Sequence, residues 1–228
     1  MKPSVQFSEI SQRQDELERQ AVADDRISIE NIKYVAGFDV AYIGSQAIVS
    51  AVVMEFQTLK IVEKKTQALP QVMNYVPGLQ AFRDGPLICQ LYYDLEYEPD
   101  VLVVSGPGIA HPKKAGLATF VGVELGKPTV GCAKSVVDGR VEGADVVVED
   151  EVRGRTFRAK EHANDLFVSP GHMLSIGTSV EILKRCVVHP HKLPEMLHVA
   201  HRVAKRAADD LRLGKVPEQK EEVIEEIM

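Results

Sequence analysis

Cysteine is scarce in this 228-residue chain: Cys89, Cys132 and Cys186 are odd in number, widely spaced and set among apolar neighbours. That pattern excludes a disulfide framework and a clustered zinc site and fits packed, reduced thiols. No apolar run approaches the ~20 residues of a membrane span, and no segment reads as a secretion signal. A soluble, cytoplasmic protein that makes no membrane contact is therefore expected. Pro/Ser linkers and internal repeats are also missing, so residues 1–228 read as one domain, with a mobile acidic tail over about 215–228. A monomer is expected. Net positive charge is lacking too. At −6 the chain does not grip nucleic acid with its whole surface, because phosphate affinity comes from neutralising charge. From Lys113 to Lys215, however, 17 basic residues face 13 acidic ones, whereas the remainder carries 10 against 20. A basic second half can face a strand while the acidic ends stay in water, or these charges are simply solvated faces.

What is present reads as an α/β chain. Spaced apolar positions from Phe7 to about Ala23 predict an amphipathic helix with Ser8 or Ser11 as caps. Three strands follow, about Tyr34 to Ile43, Ala47 to Phe56 and Lys60 to Ala68, joined by short turns and so an antiparallel meander. Glu63, Lys64 and Lys65 mark the third as an edge. Leu79 to about Leu95 reads as a helix, Val101 to Val104 as a buried strand, Ala115 to Leu125 as a helix ending at Gly126, and Thr129 to Ala133 as a strand. Strand, helix, strand at this spacing implies a parallel, right-handed crossover. Residues 138–158, rich in Gly and charge, admit short strands but give no clear assignment. Two helices close the pattern, about Ile176 to Val187 and Glu195 to Leu213.

Four segments carry chemistry. In Asn74-Tyr75-Val76-Pro77-Gly78-Leu79, followed by Phe82-Arg83-Asp84, a ring sits between turn-forming residues ahead of an Arg-acid pair on a helix. Such a ring can wedge into a base stack while the acid points back at the distorted backbone, or the stretch is an ordinary apolar loop leading into a helix. Asp39 interrupts an apolar strand, where an ionised carboxylate is costly unless paired or bound to a cation. Val101 to Val104 empties into Ser105-Gly106-Pro107-Gly108, a loop at a strand end, where α/β proteins place chemistry. Phe167-Val168-Ser169-Pro170-Gly171-His172 reads as a strand ending in a turn that presents a histidine.

In order along the chain, Tyr75-Val76-Pro77-Gly78, Ala81-Phe82-Arg83, Gly108-Ile109-Ala110-His111-Pro112, Gly116-Leu117-Ala118, the run from Pro128 to Ser135 and Val168-Ser169-Pro170-Gly171-His172 resemble endonuclease V. That resemblance implies an RNase H-like mixed sheet flanked by helices, with an antiparallel three-stranded meander followed by parallel strands. It also implies a metal-dependent nuclease of DNA repair or inosine-RNA processing. Its substrate would be single- or double-stranded nucleic acid containing inosine, cut at the second phosphodiester bond on the 3′ side. Mg²⁺, with Mn²⁺ able to substitute, would be the cofactor. By position, Asp39, Asp84 and Ser105 correspond to the metal-binding set, and His172 to the active-site histidine. Lys134 corresponds to a phosphate-facing lysine. Tyr75, Val76, Pro77, Gly78 and Leu79, with Gly106 and Gly108, correspond to the base-recognition segments.

Two of these positions depart from the family pattern. Asp84 stands where Glu is usual, and Ser105 where Asp is usual, which removes one full charge from a site whose cation affinity depends on charge. Asp100 cannot replace it, since five residues of strand place it roughly 16 Å away. An inactive relative that binds modified nucleic acid is thus the alternative to the nuclease. A hydrolase using Ser105 and His172 is a third reading, though the chain has no Gly-x-Ser-x-Gly elbow around Ser105.

Overall fold

The computed structural model describes residues 3–213, so the expected acidic tail lies outside the described residues. Nine strands form one sheet in the order β3-β2-β1-β4-β5-β9-β8-β7-β6. Strands β1 (Tyr34–Ile43), β2 (Gln46–Glu55) and β3 (Ile61–Pro70) make the expected antiparallel meander, and β3 is the edge. Strands β4 (Val101–Val104) and β5 (Thr129–Ala133) run parallel to β1, joined by α3 (Leu117–Leu125). Helix α1 (Pro3–Gln20) begins and ends earlier than the sequence pattern suggests, and α2 spans Gln80–Tyr92. The unassigned stretch resolves into β6 (Arg140–Glu142), β7 (Asp145–Val148) and β8 (Glu151–Phe157), short antiparallel strands that extend the sheet beyond β9 (Leu166–His172).

The interior strands read as unbroken apolar runs because both faces are covered. Along β1, Val35 joins a core under α4 (Ile176–Arg185) and α5 (Glu195–Arg212). Ala36 and Phe38 join a second core with Leu17 of α1, Ile88 and Leu91 of α2, and Leu117 and Phe120 of α3. Burial pushes the thiols of Cys89, Cys132 and Cys186 up to about 12, as suits packed, unreactive cysteines.

Helix α5 lies unusually close to the sheet. A Cβ on Gly37 would stand 2.7 Å from the main-chain carbon of Met196, so only glycine admits the helix here. Small residues Ala200, Ala204 and Ala208 are buried along α5. The hydroxyl of Ser50, on β2, donates to the Ala200 carbonyl at 2.7 Å and is itself fully buried. Ser50 is the cross-strand partner of Asp39. The pin therefore fixes α5 next to that carboxylate.

One motif folds differently from expectation. Ser169-Pro170-Gly171-His172 lies within β9 and is not a turn. Pro170 is tolerated there because the β5–β9 register shifts between Thr129 and Val130, and a bulge relieves the missing N–H.

Candidate active site

Asp39 and Ser105 come together through the sheet. The last register pair of β1 and β4 is Phe38 with Val104, and the Ser105 N–H donates to the Phe38 carbonyl at 3.3 Å. Alternation then puts both side chains on the α5 face of neighbouring strands, which run ~4.8 Å apart. From α5, His201 Nδ1 reaches Asp39 Oδ2 at 2.8 Å. An ionised carboxylate only accepts, so in this pair Nδ1 carries the hydrogen. The imidazole is half exposed and oriented by Asp39, which suits a group that takes or delivers a proton.

Asp84 approaches from the α2 layer. Gln80 Nε2 donates to Asp84 Oδ2 at 3.0 Å and to the Ser105 carbonyl at 3.1 Å, tying the first turn of α2 to the end of β4. Asp84 also accepts from the Tyr42 hydroxyl and from Arg83 Nε, the latter at 2.8 Å. Burial, reinforced by Asp84, drives the Tyr42 phenol well above its ordinary value. Among the described residues, no group of three or more His, Cys, Asp or Glu is placed to hold a metal ion.

His172 does not join this group. It pairs with Thr129, where β5 begins, roughly 10 Å along the strands from the level of Ser105. Its Nδ1 accepts from the Val22 N–H at 3.3 Å, and it is buried. The same separation removes the Ser105–His172 pair that a hydrolase would need. The Ser-Pro-Gly segment instead supports the loop after β4. Ser169 Oγ accepts from the Gly108 N–H at 2.7 Å, and the Pro170 carbonyl from the Ile109 N–H at 2.8 Å.

Tyr75 is 65% exposed at the tip of the loop between β3 and α2, with Val76 and Pro77 following it. Gly78 bends that loop with φ of +78°, a conformation that favours glycine. His111 fastens it. Because His111 Nδ1 accepts from the Lys113 N–H at 3.2 Å, Nε2 bears the hydrogen and donates to the Gly78 carbonyl at 3.0 Å. Arg153 of β8, almost fully buried, donates to the carbonyls of His111 and Pro112, so the stretch without a clear sequence assignment anchors the loop that anchors Tyr75. The N–H groups of Leu79, Gly106 and Gly108 are already spent on Val76, Val104 and Ser169. Lys134 follows β5 at this end of the sheet, exposed and without an ion pair among the described residues. Its basic neighbours in sequence fare differently, since Lys127 pairs with Glu98 and Arg140 with Glu142 and Asp150.

A sequence profile described as Endonuclease V matches residues 15–202. The chain belongs to the endonuclease V family. An Endonuclease V of Dictyoglomus thermophilum is 32% identical over 209 residues, covering 88% of this chain and 90% of that protein. The catalytic domain of human Endonuclease V superposes with a TM-score of 0.85 at 25% identity, covering 93% of this chain and 99% of that one. Endonuclease V of Ciona intestinalis, in complex with a 24mer DNA containing an inosine followed by a ribo-adenosine, gives 0.82 at 25% identity, covering 90% and 99%. The mixed sheet is thus the RNase H-like fold of endonuclease V, and no helix of the described residues is long and apolar enough to cross a membrane.

Burial holds the imidazoles of His111 and His172 below their ordinary value of 6.5. The folded protein thus resists protons that the unfolded chain accepts. Stability should be full above about pH 6.5 and fall as pH drops below it. Chemical denaturation at pH 8, 6 and 5 checks this, and the decline should be shallower in His111→Gln, whose amide still donates to Gly78.

Proposed function

We propose that this endonuclease V family phosphodiesterase acts as a single domain in the cytoplasm. We propose that it recognises inosine in nucleic acid and cuts the second phosphodiester bond on its 3′ side. The observation that carries the reading is the exposed Tyr75 ring on a braced loop, set on the same end of the fold as Asp39 and His201. A ring fixed in that way can enter a base stack and hold a base out of it. The Ciona relative, bound to inosine-containing DNA, supports this choice of substrate. Nothing in the comparisons favours an inactive binder, since the relatives described above bear the endonuclease name.

Asp39 would hold the divalent cation, Mg²⁺ or Mn²⁺, with the Ser105 hydroxyl beside it. Mg²⁺ commonly takes one or two carboxylates and completes its shell with water and phosphate, and this donor pair fits that mode and not a cage of three carboxylates. Bound there, the ion would neutralise phosphate charge and lower the pKa of a coordinated water. Asp39 also orients His201, whose Nε2 can exchange a proton at the reacting phosphate or its leaving oxygen. Lys134 supplies positive charge at the end of β5 for a neighbouring phosphate.

Competition binding with single-stranded oligonucleotides that differ only in inosine or adenosine tests the recognition. The inosine strand should bind more tightly, and Tyr75→Ala should weaken it by roughly 1–3 kcal/mol. Equal affinity for the two strands sinks the proposal.

A further inference from the structure

The carboxylate of Asp84 has no oxygen lone pair left for an ion. It is 2% exposed, and four hydrogen bonds end on it. Oδ1 accepts from the Tyr42 hydroxyl and from Arg83 Nε at 2.8 Å. Oδ2 accepts from Gln80 Nε2 at 3.0 Å and from an Arg83 terminal nitrogen at 3.3 Å. A carboxylate offers about four such sites, so this one is saturated by protein donors.

Two of the four bonds come from the fork of one guanidinium, which fixes its plane. That guanidinium stands over two aromatic rings. The Arg83 guanidinium carbon lies 4.2 Å from the centroid of the Tyr42 ring and 5.1 Å from that of Tyr75. Tyr42 is half-buried and bonded to the same carboxylate, so it forms the fixed side of the stack. Tyr75, largely exposed to solvent, is the free side.

We propose that Asp84 and Arg83 are positioning residues for Tyr75, with Asp84 locking the guanidinium that sets the height and tilt of the ring, and that Asp84 is not a metal ligand. This rests on the reading of Tyr75 as the residue that meets the base. The gain is preorganisation. An exposed ring pays less ordering entropy on binding when one face already rests on a rigid cation, and a cation–π contact is worth enough to bias its orientation.

The 228-residue chain labelled with 3-fluorotyrosine separates this from the alternatives. The Tyr75 resonance is assigned by its loss in Tyr75→Phe. In Arg83→Met, which keeps an apolar stem, and in Asp84→Asn, that resonance should move toward the position of free fluorotyrosine, while those of Tyr34, Tyr92, Tyr93 and Tyr97 stay in place and report an intact fold. Preference for the inosine strand, measured in EDTA, should fall by about tenfold in Arg83→Met. Calorimetric Mn²⁺ affinity should stay within about twofold in Asp84→Asn and vanish in Asp39→Asn. Should Asp84→Asn not fold, Arg83→Lys replaces it, because it retains the charge and loses the flat fork. A Tyr75 resonance unmoved in the Arg83 variants overturns the proposal, as does Mn²⁺ binding lost equally in Asp84→Asn and Asp39→Asn. Equal binding of both strands by the unaltered protein would instead remove the recognition reading and leave the resonance to decide the role of Arg83.

Discussion

Asp39→Ala should reduce cleavage of an inosine-containing strand by at least about a thousandfold, with little change in folding stability. Both halves follow from the same geometry. Asp39 lies on the α5 face at the strand ends, level with Ser105, and it also orients His201. Its loss removes the cation's charged donor and the imidazole's orienting partner together, and each alone is worth orders of magnitude in hydrolytic sites. Stability is spared because the partner imidazole is half exposed, and ion pairs at such sites contribute about 1 kcal/mol or less. Single-turnover cleavage and thermal melting of the same preparation check the two halves. His201→Ala should cost less, about a hundredfold, since the carboxylate remains. Equal rates for Asp39→Ala and the unaltered protein would place the chemistry elsewhere.

Ser105→Asp should strengthen Mn²⁺ binding by at least about tenfold, because it sets a second carboxylate ~4.8 Å from Asp39 on the same face of neighbouring strands. The sign reverses without metal. Two like charges at that distance repel, so the variant should melt below the parent in EDTA and recover when Mn²⁺ is added. Adding Asp84→Glu should bring no further gain. The longer side chain would have to abandon Arg83, Tyr42 and Gln80 to reach the ion. A double variant that binds metal more tightly than Ser105→Asp alone would show that position 84 does belong to the ion's shell.

The meander and the parallel crossover were legible in the sequence because interior strands covered on two faces leave unbroken β-branched runs, as in Val101 to Val104. The nearness of Asp39 to Ser105 follows from that register. Three things were not legible. The Ser-Pro-Gly run looks like a turn by residue type, and only the bulge against Thr129 lets it continue as strand and carry His172 to the far end of the sheet. His201 sits in a charged, amphipathic helix where nothing local marks it. Its signal is indirect: the alanines at 200, 204 and 208 allow close approach, and the residue beside that stripe is the one that meets the strand end. The donors around Asp84 were hidden for a similar reason, since Tyr42 and Arg83 lie 41 residues apart in number and meet only in three dimensions.

The contact between Asp39 and His201 spans 162 residues of chain, and α5 is held in place by a glycine on β1 and a serine on β2. A ribosome making this protein lays down Asp39, Ser105 and Tyr75 long before it reaches the helix that supplies the imidazole. Nascent chains, and products of premature termination upstream of residue 201, therefore carry Asp39 without its imidazole partner. The pairing of Asp39 with His201 therefore closes only after every described strand of the sheet has been made, when α5 settles onto β1 and β2.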